Sequence, residues 1–588
     1  MNRQRSDVQN VVASYWVNKY EKLKSKGEVE ESERTNIGKE NFLNQHDDPI
    51  MIDSQSDEDG EVVRSLAKKR KIRIDHTNET NIKSECSDNV VIINDDDDDD
   101  TEYSETESLE ETHDENVSQV KNERKPHSLG IESRKTETRI PEESPIIIFN
   151  TPAIHPPNST SISSIFDSKS LYKTYVFSFE LDVDLVVNSF KSSDVETHII
   201  AQNVYNEIHD SQHIVYHDVK SLITEWSCHH SKMVINFHTT GHLQVFISTS
   251  NFTLAEYGAL GGCFWKSDLL PLLQPNSKNK IQEPFKKDLC DYLLQYKRQE
   301  MKNLVKEIQK YSFSSVKASF VSSTPGVSHG EFGYLKFHEH LKNQQLFPTL
   351  KEDQHLKILS QVSTIAGPFR YGIKGSSNIF THILCPLILG QDFPLAPGRD
   401  ELDNLLTKIE PIILFPTRSE LFMAQRGLMG AGCLIYDNVN KRGKSQYDEL
   451  LKDFFYKRSM AESNKFFVNN HSKIYCTSKD DFATLEWIFI GSMNLSKSAW
   501  GYPVAKSKSG NSDSRSLRCN NWEVGVLLDP KTFDEHAKFV PVFDTNKLET
   551  VGRRLDGADE KLVPIRLPFK LPPQKYDESD KPWCKFDL

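Results

Sequence analysis

The amino-acid sequence predicts an α/β globular region behind a long, acidic and disordered N-terminal tail. Two observations lead to this prediction: the residue pattern changes near Tyr172, and the charge is unevenly distributed. The 588 residues include 72 Lys and Arg and 85 Asp and Glu, of which residues 1–150 hold 21 and 36. The other 51 basic and 49 acidic residues nearly cancel. The net charge of −13 therefore belongs to the tail and does not argue against a nucleic-acid partner for the rest.

The predicted tail, residues 1–165, is rich in Ser, Asp, Glu, Asn and Lys and poor in aromatic residues. Such a composition cannot bury enough apolar surface to offset the ordering of the backbone, so we expect a disordered regulatory segment. A basic cluster in it fits a nuclear import receptor, and hence a nuclear location, with a solvated charge run as the alternative. An apolar quartet followed by Asp95–Asp100 resembles a SUMO-interacting motif, which adds to its partner as an edge strand. The two motifs are Lys68-Lys69-Arg70-Lys71 and Val90-Val91-Ile92-Ile93.

The nine cysteines are scattered and include no CxxC pair. This spacing favours neither a disulfide scaffold nor a zinc module, and it fits a reducing compartment. The N-terminus lacks the apolar core of a signal peptide, and the apolar stretch around Ile383–Leu389 is too short to span a bilayer. We therefore expect a soluble protein.

From Tyr172 onward, short apolar runs alternate with longer helical patterns. The runs that predict strands are Tyr175–Leu181, His198–Ala201, Met233–Phe237 and Leu243–Ile247. Residues 283–311 predict a helix whose apolar face, with Phe285, Leu289, Leu293 and Tyr296, packs in the core. We expect a boundary near residue 340, which would divide the α/β region into two parts, residues 166–340 and 341–588.

One motif occurs twice in this region. A His-Ser-Lys triplet runs into a strand at His230 and again at His471, and each is followed by a second apolar strand and an asparagine. Asn251 lies 21 residues after His230, and Asn494 lies 23 residues after His471. Because side chains alternate between the faces of a strand, each histidine and the lysine two residues later, Lys232 or Lys473, point to the same side, and the serine between them points away.

These residue types suit a phosphodiester. An imidazole can attack phosphorus or carry a proton, and an ammonium or an amide can neutralise or bind the phosphate oxygens. If the two copies pack face to face, two histidines flank one phosphorus, and no metal or cofactor is needed. A metal site formed by His229, His230, His238 and His242 is the less favoured alternative, because His238 and His242 flank a turn at Gly241.

At these residues the sequence resembles tyrosyl-DNA phosphodiesterase of the phospholipase D superfamily, of a fungal type. The resemblance runs from about residue 172 to the C-terminus, and its SxNLSKxAWG element is specific to the family. The Asp that phospholipases carry six residues after the lysine is replaced by His238 and Lys479. The motifs that carry the resemblance are His229–Met233, Ser322–Gly326, Asn494–Gly501, Glu523–Leu527, Leu571–Pro573 and Pro582-Trp583.

The resemblance implies two phospholipase D-like lobes, each a mixed β-sheet flanked by helices, related by a pseudo-twofold axis with the active site between them. It implies that His230 attacks a DNA 3′ phosphate and forms a covalent phosphohistidine, while His471 protonates the departing tyrosine of a trapped topoisomerase I peptide and then activates water. Lys232, Lys473, Asn251 and Asn494 would hold the phosphate. Glu523 would orient the histidine of its own copy, His471.

The resemblance also implies that further residues contact DNA, although these positions match the family less specifically than the histidines do. Trp226 matches an aromatic position that stacks on a base, a buried core position being the alternative. Ser363, Thr364, Ser496 and Lys497 match contacts to backbone phosphates.

The sequence departs from the family where Gly262 replaces a glutamine, the first-copy counterpart of Glu523. A glycine cannot orient His230 through a side chain, so either a neighbour such as Glu256 or a backbone group replaces it, or the activity is reduced. Three functions remain in view: a metal-independent DNA 3′-end repair enzyme, which we favour, a phosphodiesterase acting on lipid, and a nuclear scaffold with a decayed catalytic half. A site built from two halves of one chain needs no second subunit, so a monomer is expected.

Overall fold

A computed structural model of the chain describes residues 143–151, 159–209, 211–274, 283–368, 376–395, 399–424, 431–458, 468–504, 516–543 and 561–584. The motifs at 68–71 and 90–93, and most of the expected tail, lie outside these residues. Among the helices in these ranges, none is long and apolar enough to cross a membrane.

The first lobe is built on an eight-stranded sheet. Its strands are β1 (Ile146–Ile148), β2 (Leu171–Asp182), β3 (Glu196–Tyr205), β4 (Ile214–Tyr216), β5 (Met233–His238), β6 (His242–Ser248), β7 (Cys263–Lys266) and β8 (Leu270–Pro271). They are ordered β1-β7-β6-β5-β2-β3-β4, with β8 paired to β6. The four strands that the apolar runs predicted are confirmed as parts of β2, β3, β5 and β6.

The second lobe is built on another eight-stranded sheet. Its strands are β9 (Ser319–Ser323), β11 (Leu356–Gln361), β13 (Ile409–Leu414), β15 (Phe455–Lys457), β16 (Lys473–Ser478), β17 (Trp487–Gly491), β20 (Glu523–Leu528) and β23 (Gln574–Lys575). Read from β9, the order is β9-β20-β17-β16-β11-β13-β15-β23.

The two sheets repeat one topology. β2 is parallel to β3 and antiparallel to β5, and β11 is likewise parallel to β13 and antiparallel to β16. β5 and β6 form a hairpin, as do β16 and β17. The repeated motif therefore occupies the same central position in both sheets.

The strand pairing divides the chain differently from the boundaries expected at residues 165 and 340. β1 pairs with β7, so the first lobe begins before residue 166. β9 pairs with β20, so the second sheet begins at Ser319, within the range expected for the first lobe. These boundaries were not predictable from the sequence, because each joining strand is short and pairs with a strand far along the chain.

Smaller sheets and helices cover the two central sheets. The remaining strands are β10 (Gly326–Ser328), β12 (Thr364–Ile365), β14 (Ile435–Tyr436), β18 (Tyr502–Pro503), β19 (Leu517–Cys519), β21 (Ala537–Val542) and β22 (Lys561–Arg566). The α-helices are α1 (Val183–Val187), α2 (Leu254–Ala259), α3 (Pro284–Leu294), α4 (Gln299–Ile308), α5 (Gly333–Asn343), α6 (Cys385–Ile388), α7 (Arg399–Leu406), α8 (Arg418–Met423), α9 (Lys441–Gln446) and α10 (Lys497–Trp500). Two π-helices span Phe380–Leu384 and Tyr447–Leu451, and short 3₁₀ turns span Ile162–Ile165, Lys220–Leu222, Lys452–Phe454 and Pro530–Thr532.

The helix expected over residues 283–311 is divided into α3 and α4. Lys297 between them has φ +55°, a left-handed conformation that interrupts a right-handed helix. The apolar face is nevertheless confirmed as core, since Phe285, Leu289, Leu293 and Tyr296 are all at most 3% exposed.

The two lobes share part of their hydrophobic core. Val245 and Ile247 of β6 belong to the same buried cluster as Ile488 of β17 and Val526 of β20. Burial of such side chains contributes about 1.5–3 kcal/mol each. The hairpins that carry the repeated motif are therefore held against each other by apolar packing.

Candidate active site

Each copy of the motif is hydrogen-bonded to the opposite lobe. The backbone N–H of His230 donates to the carbonyl of Trp522 at 2.9 Å, and that of His471 donates to the carbonyl of Gly261 at 2.9 Å. The residue before each histidine forms an isolated β-bridge with the other lobe, His229 with Trp522 and Asn470 with Gly261. These reciprocal contacts are what a pseudo-twofold relation between the lobes requires.

The expected alternation of side chains is observed. Ser231 points toward helix α3, where its hydroxyl lies 2.6 Å from that of Tyr292, and Ser472 donates to Gln361. Lys232 and Lys473 are fully buried, and both act electrostatically on His471. Each ammonium donates to the carbonyl of its own motif histidine, at 3.2 Å and 2.8 Å.

Each histidine is oriented by a carboxylate of the opposite lobe. Nδ1 of His230 donates to Oε2 of Glu523 at 2.9 Å, and Nδ1 of His471 donates to Oε2 of Glu256 at 2.8 Å. The expectation that Glu523 orients His471, the histidine of its own copy, is wrong. The reason is the bridge between the lobes, which places the start of β20 beside the first motif and Gly261 beside the second.

The first lobe still contributes a carboxylate to the site, although Gly262 has no side chain. A Cβ at this position would fall well inside van der Waals contact with Oγ of Ser250, so that hydroxyl fills the space of a side chain. The carboxylate comes from Glu256, which lies on α2 and is 1% exposed. It serves His471, whereas the sequence had suggested it as a substitute for a residue that orients His230.

The role of Glu256 toward His471 is not recognisable from its neighbours, because Thr253 and Glu256 match a common pattern at the start of a helix. Thr253 caps α2 and accepts from the N–H of Glu256 at 3.1 Å, so the two residues read as a capping box. In a full capping box the glutamate would return to the backbone of the threonine. Here its Oε2 accepts from the N–H of Asn251 at 2.8 Å and from His471, and its Oε1 accepts from the Asn251 amide.

The charges around His471 set its protonation state. Burial by itself would raise the pKa of Glu256, but His471 and the ammonium groups of Lys232 and Lys473 lower it to about 2. Burial lowers the pKa of His471 to about 4, against the opposing effect of Glu256. At neutral pH the pair is therefore a carboxylate that accepts Nδ1–H from a neutral imidazole, which leaves the lone pair on Nε2.

The two asparagines are held in different ways. Oδ1 of Asn494 accepts from the N–H and the hydroxyl of Ser363 at 3.2 Å each, and from the N–H of Thr364 at 3.1 Å. These three donors fix the orientation of the amide. Asn251 uses its amide nitrogen on Glu256 instead, so it also braces the carboxylate that orients His471.

The residues expected to contact DNA lie partly on the surface and partly in the scaffold. Trp226 is 45% exposed, which excludes the core position considered for it. The Ser363 hydroxyl is engaged by Asn494, and the Ser496 hydroxyl caps α10 by accepting from the N–H of Ala499 at 3.1 Å. Lys497 begins α10, and its Nζ lies 5.7 Å from the centre of the Tyr502 ring.

The alternative metal site among the neighbouring histidines is not formed. Nδ1 of His229 donates to the carbonyl of Ser178 at 3.1 Å, and Nε2 accepts from the hydroxyl of Tyr296 at 2.6 Å. Burial lowers the pKa of His229 to about 4. His238 lies at the far end of β5, paired with His242. His229 is therefore a neutral structural residue with both ring nitrogens in use.

Comparisons with known proteins agree with this architecture. The family model described as tyrosyl-DNA phosphodiesterase matches residues 147–577. Tyrosyl-DNA phosphodiesterase 1 of Saccharomyces cerevisiae is 26% identical over 463 residues, which cover 72% of this chain and 80% of that protein. A probable tyrosyl-DNA phosphodiesterase of Schizosaccharomyces pombe is 22% identical over 524 residues, covering 75% and 92%.

A solved structure shows the same fold. The crystal structure of the yeast tyrosyl-DNA phosphodiesterase superposes with a TM-score of 0.61 at 24% identity, covering 75% of this chain and 98% of that one. The expected arrangement of two lobes with mixed sheets is thus confirmed, and yeast relatives fit the expected fungal type. Because the family model covers most of the chain, this protein belongs to the tyrosyl-DNA phosphodiesterase family.

Proposed function

We propose that this protein hydrolyses the bond between a DNA 3′ phosphate and a tyrosine, such as that of a trapped topoisomerase I peptide, or another group that blocks the 3′ end. Family membership supports a phosphodiesterase acting on tyrosyl-DNA. The observation that carries the proposal is the reciprocal bracing of two buried histidines, His230 by Glu523 and His471 by Glu256. Each half-site thus contains groups of both lobes, and both motif lysines lower the pKa of Glu256.

The first chemical step needs a nucleophile and an acid. With Nδ1–H held by Glu523, Nε2 of His230 carries the lone pair that attacks phosphorus. The new N–P bond forms while the P–O bond to the tyrosine breaks, and His471 gives its proton to the phenolate oxygen. The anionic phosphate brings negative charge close to His471, which favours the protonated imidazole that this step requires.

The second step reverses the proton transfer. His471, now neutral, takes a proton from water, whose oxygen attacks phosphorus as the N–P bond breaks. The products are a DNA 3′ phosphate, a neutral His230 and a protonated His471, which is the pair of states that began the first step. Glu256 supports this exchange because a carboxylate on Nδ1 stabilises each imidazolium state of His471.

Buried lysine and asparagine side chains can stabilise the negative charge that develops on the phosphate oxygens. Lys232 and Lys473 are buried and act electrostatically on His471, and Ser363 and Thr364 fix the orientation of the Asn494 amide. Two ammonium charges in a dry site stabilise the transition state strongly, so we propose that the reaction is independent of metal ions.

The direct test is turnover of single-stranded DNA carrying a 3′-phosphotyrosine, with EDTA present, beside a phosphatidylcholine substrate under the same conditions. We expect release of tyrosine from the DNA and no release from the lipid. Turnover of lipid alone would refute the proposal, and no turnover of either would support the scaffold alternative. The scaffold alternative rested on Gly262, but His230 is oriented by Glu523, and Glu256 of the same lobe as Gly262 orients His471.

Two variants test the division of roles between the histidines. His471→Ala keeps the nucleophile but lacks the group that activates water, so a covalent DNA adduct should accumulate on a denaturing gel. His230→Ala should form no adduct. An adduct on the His230→Ala protein would show that the nucleophile is assigned to the wrong histidine.

The proposed substrate is nuclear, and we propose that residues 68–71 direct import and residues 90–93 bind SUMO. Replacing the four basic residues with alanine should move a fluorescent fusion of the full chain out of the nucleus. Replacing residues 90–93 with alanine should abolish binding to SUMO without a change in turnover. A fusion that stays nuclear after the first change would refute the import role.

A further inference from the structure

We infer that Cys433, Glu256 and His471 form an inhibitory site for a thiophilic divalent cation such as Zn²⁺. The regulatory consequence rests on the proposed function, because it acts by removing His471 from proton transfer. The binding site itself depends only on the position of the three side chains.

The three side chains meet at one buried point. One ligand atom from each, the thiol sulfur, a carboxylate oxygen and a ring nitrogen, lies within 4.8 Å of the other two. Cys433 is 5% exposed, Glu256 1% and His471 4%. The thiol is also held at the junction of the lobes, because Cys433 packs with Ala259 and Leu260 at the end of α2.

The set of donors suits zinc. Sulfur, imidazole nitrogen and carboxylate oxygen are its common ligands, at about 2.3, 2.0–2.1 and 2.0–2.2 Å, which places neighbouring ligands about 3.5 Å apart in a tetrahedron. Atoms that already lie within 4.8 Å reach this spacing by side-chain adjustments on the order of 1 Å. The fourth position is filled by water or by a phosphate oxygen.

Charge sets limits on the affinity. On binding, the Cys433 thiol loses its proton to solvent, so a thiolate and the Glu256 carboxylate together balance the two charges of the cation. Lys232 and Lys473 lie near enough to affect Glu256, and they oppose a cation at this point. The site therefore holds the metal reversibly, as an inhibitor, and is weaker than a structural zinc site with four protein ligands.

Occupation of the site would stop both chemical steps. A metal on Nδ1 of His471 displaces the 2.8 Å hydrogen bond to Glu256, and a metal on Nε2 occupies the nitrogen that exchanges protons. In either case the imidazole no longer gives or takes a proton. His230 and its partner Glu523 are not ligands and remain in place.

Binding is tested with Co²⁺ as a spectroscopic probe of the full-length, metal-free protein, which does not depend on turnover. Wild type should show the thiolate-to-cobalt charge-transfer absorption and the intense visible bands of tetrahedral cobalt. Cys433→Ser should lack the charge-transfer band and bind Zn²⁺ at least about tenfold more weakly by competition with a chromophoric chelator. Cys290→Ser is the matched control, since that cysteine is 7% exposed and lies on α3. It should keep the band.

Inhibition is tested with the 3′-phosphotyrosine substrate. Zn²⁺ should inhibit wild type and Cys290→Ser, EDTA should restore activity, and Cys433→Ser should keep basal turnover while needing about tenfold more Zn²⁺ for the same loss. A charge-transfer band that survives in Cys433→Ser would refute the site. Equal inhibition of Cys433→Ser and wild type would refute the regulation. If no variant turns over DNA, the proposed function fails, and the cobalt spectra still decide whether the site exists.

Discussion

Replacing Glu256 with glutamine tests the crossed pairing of carboxylates and histidines. The substitution keeps the size of a side chain that is 1% exposed and leaves an oxygen able to accept from Nδ1 of His471. It removes the negative charge. A hydrogen bond to a charged group contributes about 1.5–3 kcal/mol, so the imidazolium state of His471 should lose support on that scale. At 1.36 kcal/mol for each factor of ten, this corresponds to a slowing of about 10- to 150-fold.

The two carboxylates should produce different kinetic signatures. Glu256→Gln lowers the basicity of His471, so hydrolysis of the phosphohistidine slows and the covalent adduct accumulates. Its pH profile should shift to lower pH on the acidic side, because the carboxylate raises the pKa of His471. Glu523→Gln acts on His230 and should slow adduct formation without accumulation.

Rapid-quench experiments with a 3′-phosphotyrosine oligonucleotide separate the two steps and measure the adduct directly. Thermal unfolding of both variants checks that the lobes remain assembled. If Glu523→Gln accumulates the adduct and Glu256→Gln does not, each carboxylate serves the histidine of its own lobe, and the crossed pairing is refuted.

Three further predictions concern packing, acid stability and DNA binding. Gly262→Gln should not restore the family pattern but should cost about 1–3 kcal/mol through collision with Ser250, seen as a lower Tm. Gly258→Ala, where a Cβ meets nothing within 4 Å, should be neutral or stabilising by up to about 1 kcal/mol, and a larger loss there than at Gly262 would contradict this account. Folding lowers the pKa of His229 from 6.5 to about 4, because the ring is buried. Between these pH values the unfolded state therefore binds one more proton than the folded state, and the free energy of unfolding falls by about 3 kcal/mol as the pH drops through this range. Urea unfolding at several pH values should show that the free energy of unfolding falls less steeply with decreasing pH in His229→Gln than in wild type. Trp226→Ala should weaken binding of single-stranded DNA by about 1–3 kcal/mol in fluorescence anisotropy while Trp226→Phe retains most of it, and equal affinities would exclude stacking.

Local geometry was predictable from the sequence because it depends on neighbouring residues. The two-residue period of an extended chain predicts that Ser231 points away from His230 and Lys232. In the structure, Ser231 reaches Tyr292 of α3, while the Lys232 ammonium donates to the carbonyl of His230. The same rule applies to the copy at residues 471–473. The strands around both motifs were predicted for the same reason.

The partner of each histidine was not predictable, because it depends on how two distant segments meet. Glu256 lies 215 residues from His471, and Glu523 lies 293 residues from His230. Spacing within one copy suggested that Glu523 belongs to His471, and nothing local distinguishes this from the crossed arrangement. Glu256 was named from the sequence only as a substitute that would orient His230, and its partner in the structure is His471.

The crossed bracing has a consequence for how such a site can evolve. In a symmetric homodimer every substitution appears in both halves at once, so both histidines would keep identical surroundings. A single chain that contains both lobes is free of this constraint. Here one histidine is held by a glutamate at the start of a strand and the other by a glutamate on a helix. Joining the halves into one polypeptide therefore allows a nucleophile and a proton carrier to be tuned separately, although both histidines lie in copies of the same motif.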